Sequence, residues 1–207
     1  MNLKIKDLIF RQNNLVPKDK CKYFIDIFEK YKDKSHNEIS LKYIEGEQNY
    51  HKTDNYKCLN LSTLYEIEDI KKTADLASFY ISLVILNYVN FLKINISKSI
   101  TDRYINKTSN IRILKYNEGD QIIDHLDVSP RIRGSCTLNL NENYEGGEFT
   151  FFSGKHIETF KTGDAMIFPA EPIWIHGTKP IIKGTRYAIN CHLYDDNIIN
   201  KTNSISK

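Results

Sequence analysis

The chain has 207 residues, 41% of them hydrophobic and 27% charged, with a net charge of only +3. That is enough chain and enough apolar side chain for a sizeable core, so disordered and collagen-like classes are excluded. Lys and Glu are interspersed along it, which argues against a nucleic-acid groove.

The first residues, Met1-Asn2-Leu3-Lys4-Ile5-Lys6-Asp7, put charges where a signal peptide needs an unbroken apolar run, so a cytoplasmic protein is expected. Residues Leu3 to Leu15 read as a short strand and turn. Pro17 suits a first helical position, and Cys21, Phe24, Ile25, Phe28 and Tyr31 recur at helical spacing, predicting a helix over Pro17 to Lys32. Asp33 to Asn60 is polar and reads as loop, with one weak strand near Leu41 to Ile44. A second helix is expected over Ile70 to Ile96; Ser82, Asn87, Asn90 and Lys93 interrupt its apolar run short of the roughly 20 residues of a membrane span.

After Asn110 short runs of β-formers follow one another: Ile111 to Tyr116, Gln121 to Asp127, Ser135 to Asn141, Glu148 to Phe152, His156 to Phe160, Asp164 to Phe168, Ile173 to His176 and Arg186 to Tyr194. Turn residues such as Glu145-Gly146-Gly147 and Thr162-Gly163-Asp164 separate them. The fold expected is mainly β with flanking α-helices: a jelly-roll core over 110–194, helical support packed outside it from 1–109, and a polar tail over 195–207, all in one domain. Cys21, Cys58, Cys136 and Cys191 show no CxxC spacing and read as buried free thiols in a reducing compartment.

The chemistry concentrates in the second half. On a strand, His125 and Asp127 point to one face and can bind one ion together. His176 from a distant strand would complete a set of two histidines and a carboxylate, which takes one face of an octahedral metal and leaves three positions open. On the last strand Arg186, Ala188, Asn190 and His192 share one face and the apolar Tyr187, Ile189, Cys191 and Leu193 the other. A buried Arg186 demands an anionic partner, and its fork fits a ligand carboxylate. Arg131 and Arg133, just after the His-x-Asp pair, are candidates for steering an acidic substrate, and Trp174 either lines the site or caps the core.

Taken in order, Tyr116-x-x-Gly119-x5-His125-x-Asp127, Asn141 with Tyr144-Glu145-Gly146-Gly147-Glu148-Phe149, Gly163-Asp164-Ala165, Phe168-Pro169, and His176 followed by Lys183-Gly184-Thr185-Arg186-Tyr187 resemble the 2-oxoglutarate- and Fe(II)-dependent dioxygenases of the prolyl 4-hydroxylase type. The resemblance covers roughly residues 110 to 194. It implies a double-stranded β-helix with Fe(II) on His125, Asp127 and His176. It further implies 2-oxoglutarate held by Arg186, with Tyr116 lining its pocket and Asn139 and Asn190 within reach of its carboxylate. O2 is then a co-substrate, L-ascorbate an accessory the family allows, and the implied reaction hydroxylates a C–H bond, first of all in a peptidyl proline, as 2-oxoglutarate is decarboxylated to succinate and CO2. A peptide or protein substrate is therefore expected, a small molecule is the lesser choice, and no membrane partner is foreseen. Asn139, Asn190 and His192 stand where the family usually has an aromatic residue, Thr and Trp, which weakens the choice of proline in particular. Two other readings are a nucleic-acid demethylase of the alkylation-repair type, which usually carries a later pair of arginines, and a non-catalytic cupin-like binding module.

Overall fold

A computed structural model describes residues 4–43, 50–101, 104–127, 131–170 and 173–195, with side chains left undescribed at 39–43 and 50–55. The tail expected from residue 195 lies, after Asp195 itself, outside the described residues. In chain order the elements are β1 (Phe10–Gln12), α1 (Lys18–Lys30), β2 (His36–Tyr43), β3 (Tyr50–Asn60), α2 (Glu68–Asn95), β4 (Lys107–Tyr116), β5 (Ile132–Asn139), β6 (Tyr144–Gly146), β7 (Phe149–Phe151), β8 (His156–Glu158), β9 (Ala165–Pro169), β10 (His176–Thr178), β11 (Ile181–Gly184) and β12 (Arg186–Tyr194).

A seven-stranded sheet runs in the order β1-β9-β5-β12-β4-β3-β2, faced by a three-stranded sheet β10-β7-β8 and the pair β11-β6. The described strand pairs are antiparallel, the arrangement of a double-stranded β-helix. The period-2 alternation of β12 decides what lies on each side of the large sheet. Tyr187, Ile189, Cys191 and Leu193 join the core under the helices, together with Cys21, Phe24, Ile27 and Phe28 of α1 and Ile81, Val84 and Tyr88 of α2. The opposite face of β12 looks between the sheets.

α1 begins one residue later than predicted: Pro17 caps it, its carbonyl accepting the Cys21 N–H at 2.9 Å. Ile27 rather than Ile25 supplies the buried position. α2 exceeds its predicted apolar run: over 28 residues it is long and apolar enough, by length and composition, to cross a membrane. Ile70, Ala77, Ile81, Val84 and Leu92 are nevertheless buried against the protein.

The polar stretch from Asp33 to Asn60, read as loop with one weak strand near Leu41 to Ile44, instead holds two paired strands, β2 and β3, that extend the large sheet at its edge through β3 and β4. The expected strand falls on the end of β2, with Ile44 outside the described residues. An edge hairpin needs few apolar anchors and favours charge along its rim, so its composition conceals it. Tyr56, Cys58 and Leu59 are the buried anchors among its described side chains. The strand predicted over Gln121 to Asp127 is likewise replaced: residues 121–127 form no strand and carry one isolated bridge, His125 to His176. Strands β6 and β11, which were not anticipated, pair with each other, and β6 takes in Glu145 and Gly146 of the expected Glu145-Gly146-Gly147 turn. There Gly146 has φ +81° and a Cβ would lie 2.4 Å from the Pro180 carbonyl, so only glycine fits.

Candidate functional site

The inner face of the large sheet is a grid of side chains fixed by register. Arg186 lies opposite Tyr116; Ala188 opposite Leu114 and Asn139; Asn190 opposite Arg112 and Thr137; His192 opposite Ser135. Over this floor β10 and the 122–127 segment bring down the other half of the site.

Those two pieces are locked by backbone. The His125 N–H donates to the His176 carbonyl at 2.9 Å, and the His176 N–H donates back at 3.0 Å. Thr178 N–H donates to the Ile122 carbonyl at 2.8 Å, and Ile122 N–H to Thr178 Oγ1 at 2.9 Å. The close approach depends on Gly177, where a Cβ would fall 2.7 Å from the Ile122 carbonyl oxygen. Thus His125 and His176 become neighbours, with ring centroids 4.3 Å apart, through a reciprocal bridge rather than through the pleat of a strand.

Asp127 completes the cluster. Its Oδ1 lies 3.4 Å from His125 Nε2 and its Oδ2 3.5 Å from His176 Nε2, while Ser135 Oγ donates to Oδ2. One potential ligand atom from each of His125, Asp127 and His176 falls within 4.8 Å of the others. Bonds of about 2.1 Å put adjacent ligand atoms of one octahedron about 3 Å apart, so small inward movements would let the three share an ion. The donor set fits as well. His125 Nδ1 pairs with the Ile123 carbonyl at 3.0 Å and His176 Nδ1 with the Trp174 carbonyl at 2.9 Å. Each carbonyl accepts from Nδ1–H, so Nε2 is the nitrogen that faces Asp127: protonated it donates to the carboxylate, and neutral it offers its lone pair to an ion, as in metal-ligating histidines. Burial works to raise the Asp127 pKa, yet hydrogen bonds with His125, His176 and His192 hold its carboxyl far below the usual range. The carboxylate therefore stays ionised.

Phe149 stacks on His176 at 5.6 Å with an 8° tilt, and Phe168 meets the same ring edge-on at 4.6 Å, so one side of the cluster is dry. His192 also faces it, its Nε2 3.7 Å from Asp127 Oδ1. The cavity over the cluster is further lined by Tyr56, Arg112, Thr137 and Asn190. Asn190 Oδ1 accepts from Thr137 Oγ1 at 2.9 Å.

Arg186 sits at the far end of the floor, 2% exposed. Its Nε donates to Asn139 Oδ1 at 3.2 Å, its Nη1 donates to the Gly147 carbonyl at 3.1 Å, and its guanidinium lies 5.3 Å from the Tyr116 ring centroid. Asn139 is committed here: its Nδ2 donates to the carbonyls of Asn141 at 2.6 Å and Lys161 at 3.3 Å, and its Oδ1 also accepts from Tyr144. It reaches Arg186, and none of Asn139, Arg186 and Tyr116 is among the residues lining the cavity over the cluster, whereas Asn190 is. Trp174 belongs to the aromatic core with Phe151 and Phe168, offering the site only its carbonyl. Arg133 is paired with Asp195 at 3.1 Å, and Arg131 is exposed beside Lys107 and Ser109, away from the cluster.

Arg112 is the cavity residue that sequence reading passed over. An arginine inside a strand reads as a solvent-facing residue; the signal was its period-2 relation to Leu114 and Tyr116, which puts it on the inner face. A second group among the described residues, His36, Glu38 and Cys58, could also approach an ion. There burial pushes the Cys58 thiol well up, and Glu38 is shared with Arg112, so the donor set is the poorer one.

Residues 111–194 match the family model of the 2OG-Fe(II) oxygenase superfamily. Among solved structures, a prolyl hydroxylase of Trichoplax adhaerens in complex with a hypoxia-inducible-factor peptide fragment is 14% identical with a TM-score of 0.63, over 91% of this chain and 84% of that one. The viral collagen prolyl hydroxylase of Paramecium Bursaria Chlorella virus-1, as its 2-oxoglutarate complex, is 15% identical with a TM-score of 0.52, over 90% and 95%. A prolyl 4-hydroxylase of Pseudomonas putida is 13% identical with a TM-score of 0.56, over 90% and 91%. No curated protein sequence matches the chain.

Proposed function

We propose, from the premise that residues 111–194 make this chain a 2-oxoglutarate- and Fe(II)-dependent dioxygenase on the prolyl 4-hydroxylase fold, that it hydroxylates a C–H bond of a peptidyl proline. The observation that carries the reading is the convergence of His125, Asp127 and His176 with both imidazoles fixed as Nε2 donors. In it these three side chains hold Fe(II), which with 2-oxoglutarate and O2 supplies the oxidising power that replaces C–H by C–OH as succinate and CO2 form. Ser135 orients the Asp127 carboxylate, and Phe149 and Phe168 keep water from the His176 side. Arg186 takes the distal carboxylate of the co-substrate. Asn139, Gly147 and the Tyr116 ring aim its guanidinium, so Asn139 is a positioning residue. Asn190 lines the cavity, on β12 between Arg186 and the His192 that faces Asp127, and would help hold the co-substrate there. A proline peptide is chosen because a prolyl hydroxylase of the same fold has been seen with a peptide fragment. L-ascorbate is included as an accessory reductant, and the four free, buried cysteines suit a reducing compartment such as the cytoplasm.

The test is succinate release with Fe(II), 2-oxoglutarate and ascorbate, over proline-containing peptides, free amino acids and methylated single-stranded oligonucleotides, beside the Asp127→Ala variant. Peptide-stimulated release in the parent protein and none in the variant is expected. Release that survives Asp127→Ala refutes the ligand assignment. Stimulation by oligonucleotides alone moves the activity to demethylation, and no 2-oxoglutarate-dependent tightening of Mn(II) leaves a binding module.

A further inference from the structure

Besides Asp127, the described residues lining the cavity hold one permanent charge, the guanidinium of Arg112. On β4 it faces Asn190 of β12 and Asn60 of β3, two strand spacings, roughly 10 Å, across the sheet from β5, whose Ser135 holds Asp127.

The fold does not use up this guanidinium. Its one described acceptor is Glu38, with Nη1 3.4 Å from Oε1, well beyond the roughly 2.8 Å of a charge-assisted bond. The same oxygen is 3.6 Å from His36 Nε2. Among the described residues Arg112 Nε has no partner, and the side chain is buried to 16% exposure. Arg11 and Arg133 also leave Nε unbonded, but each has a carboxylate within 3.2 Å and neither lines the cavity. A dry, unpaired donor is unfavourable, and because Arg112 lines the cavity an acceptor entering there would complete it. The described lining carries Arg112 and three histidines against a single carboxylate, Asp127, which those histidines flank at 3.4, 3.5 and 3.7 Å. Such a lining favours an incoming anion.

We propose that Arg112 reads a carboxylate on the substrate, as a specificity residue distinct from the co-substrate anchor. This rests on the dioxygenase reading of the site. Arg186 is two rows of the grid away, opposite Tyr116, and serves one end of 2-oxoglutarate; Arg112, opposite Asn190, lies on the side of the floor bounded by the partly exposed Glu38. The carboxylate belongs either to an aspartate or glutamate next to the target residue of a peptide or to the α-carboxylate of a free amino acid. Both present the same planar anion to the fork of the guanidinium.

The experiment is calorimetric binding to protein holding Mn(II) and N-oxalylglycine in place of Fe(II) and 2-oxoglutarate. One arm uses N-acetylated, C-amidated proline peptides with aspartate beside the proline against their asparagine isosteres. The other uses proline and related amino acids against their carboxamides. At least tenfold tighter binding of acid over amide is expected in one arm, which names the source. Arg112→Met should bring that ratio close to one, and Arg112→Lys should keep part of it. If Arg112→Met fails to fold because Glu38 is stranded, the Arg112→Met, Glu38→Gln pair removes both charges and carries the same expectation. Equal affinities for acid and amide in both arms overturn the proposal, as does a ratio that survives the variants. A fall in N-oxalylglycine affinity as large as that of the probes would assign Arg112 to the co-substrate and overturn it too. Succinate release without any acid preference sinks this proposal alone. No release from any substrate sinks the dioxygenase reading with it.

Discussion

Arg186 is charged, nearly inaccessible and held by neutral groups: an amide oxygen, a backbone carbonyl and an aromatic face. None of these neutralises it, and a buried cation without a counter-charge is costly, so its anion arrives with the ligand. Arg186→Lys keeps the charge but loses the fork and the Nε bond to Asn139. The KM for 2-oxoglutarate is expected to rise by about tenfold or more with a smaller fall in kcat, measured by succinate release. An unchanged KM would remove Arg186 from the co-substrate. Single residues were also where the sequence was most legible: the polar face of β12, from Arg186 through Asn190 to His192, follows from alternation alone. His125 and Asp127 do meet, but not for the reason spacing suggested, since no strand carries them. The inner-face position of Arg112 was legible from alternation, but its burial was not, because that depends on β3 covering the edge of β4, a pairing that polar residues 33–60 do not advertise.

At the scale of elements, the site depends on how β10 grips the 122–125 segment. Gly177→Ala would drive a methyl group into the Ile122 carbonyl, and the backbone must yield. A loss of about 1–3 kcal/mol in stability is expected, with weakened Mn(II) binding as His125 moves away from His176. Thermal unfolding and metal titration read the two effects, and an unperturbed Tm would refute the tight approach. On the other side of the sheet, α1 is fastened by Glu29, whose Oε1 is 2.7 Å from Lys115 Nζ and accepts from Tyr187 Oη at 2.5 Å. Burial works to raise its pKa, but the bonds from Lys115 and Tyr187 win and lower it. A carboxyl whose folded pKa is depressed stabilises above its unfolded value of about 4.3, and that contribution is lost as pH falls through the lower folded value. Glu29→Gln should therefore cost at most about 1 kcal/mol at neutral pH, since the pair is partly exposed, and the Tm difference should vanish near pH 3. A difference independent of pH would point to packing instead. Helices α1 and α2 were legible from periodicity, whereas the β2–β3 hairpin was not: an edge hairpin is polar because one side of it faces water.

For the molecule as a whole, two helices cover one face of the large sheet and the small strands cover the other, so chemistry is confined to the layer between sheets. A metal that binds only the folded chain adds its binding energy to stability. At 100 times its Kd, Mn(II) should contribute about 2.7 kcal/mol, or about 5–10 °C in Tm for a chain of this size. Asp127→Ala should show almost none of that gain in differential scanning. An equal gain in the variant would mean that the ion binds elsewhere, the His36, Glu38 and Cys58 group being the next place to look. An all-β jelly roll or barrel was legible from the short runs of β-formers after Asn110, and the family resemblance narrowed it to the jelly roll; the strand order was not legible, because register is fixed by partners far apart in the chain.

The mutual backbone bonds between His125 and His176 have a kinetic corollary. If these rings ligate the ion as proposed, being hinged on one another by main chain keeps them from scattering when it departs, so the apoprotein would keep its receptor assembled. Reloading should then proceed as a single rapid association without an activation lag, and stripped protein should regain full turnover within the mixing time of a stopped-flow instrument.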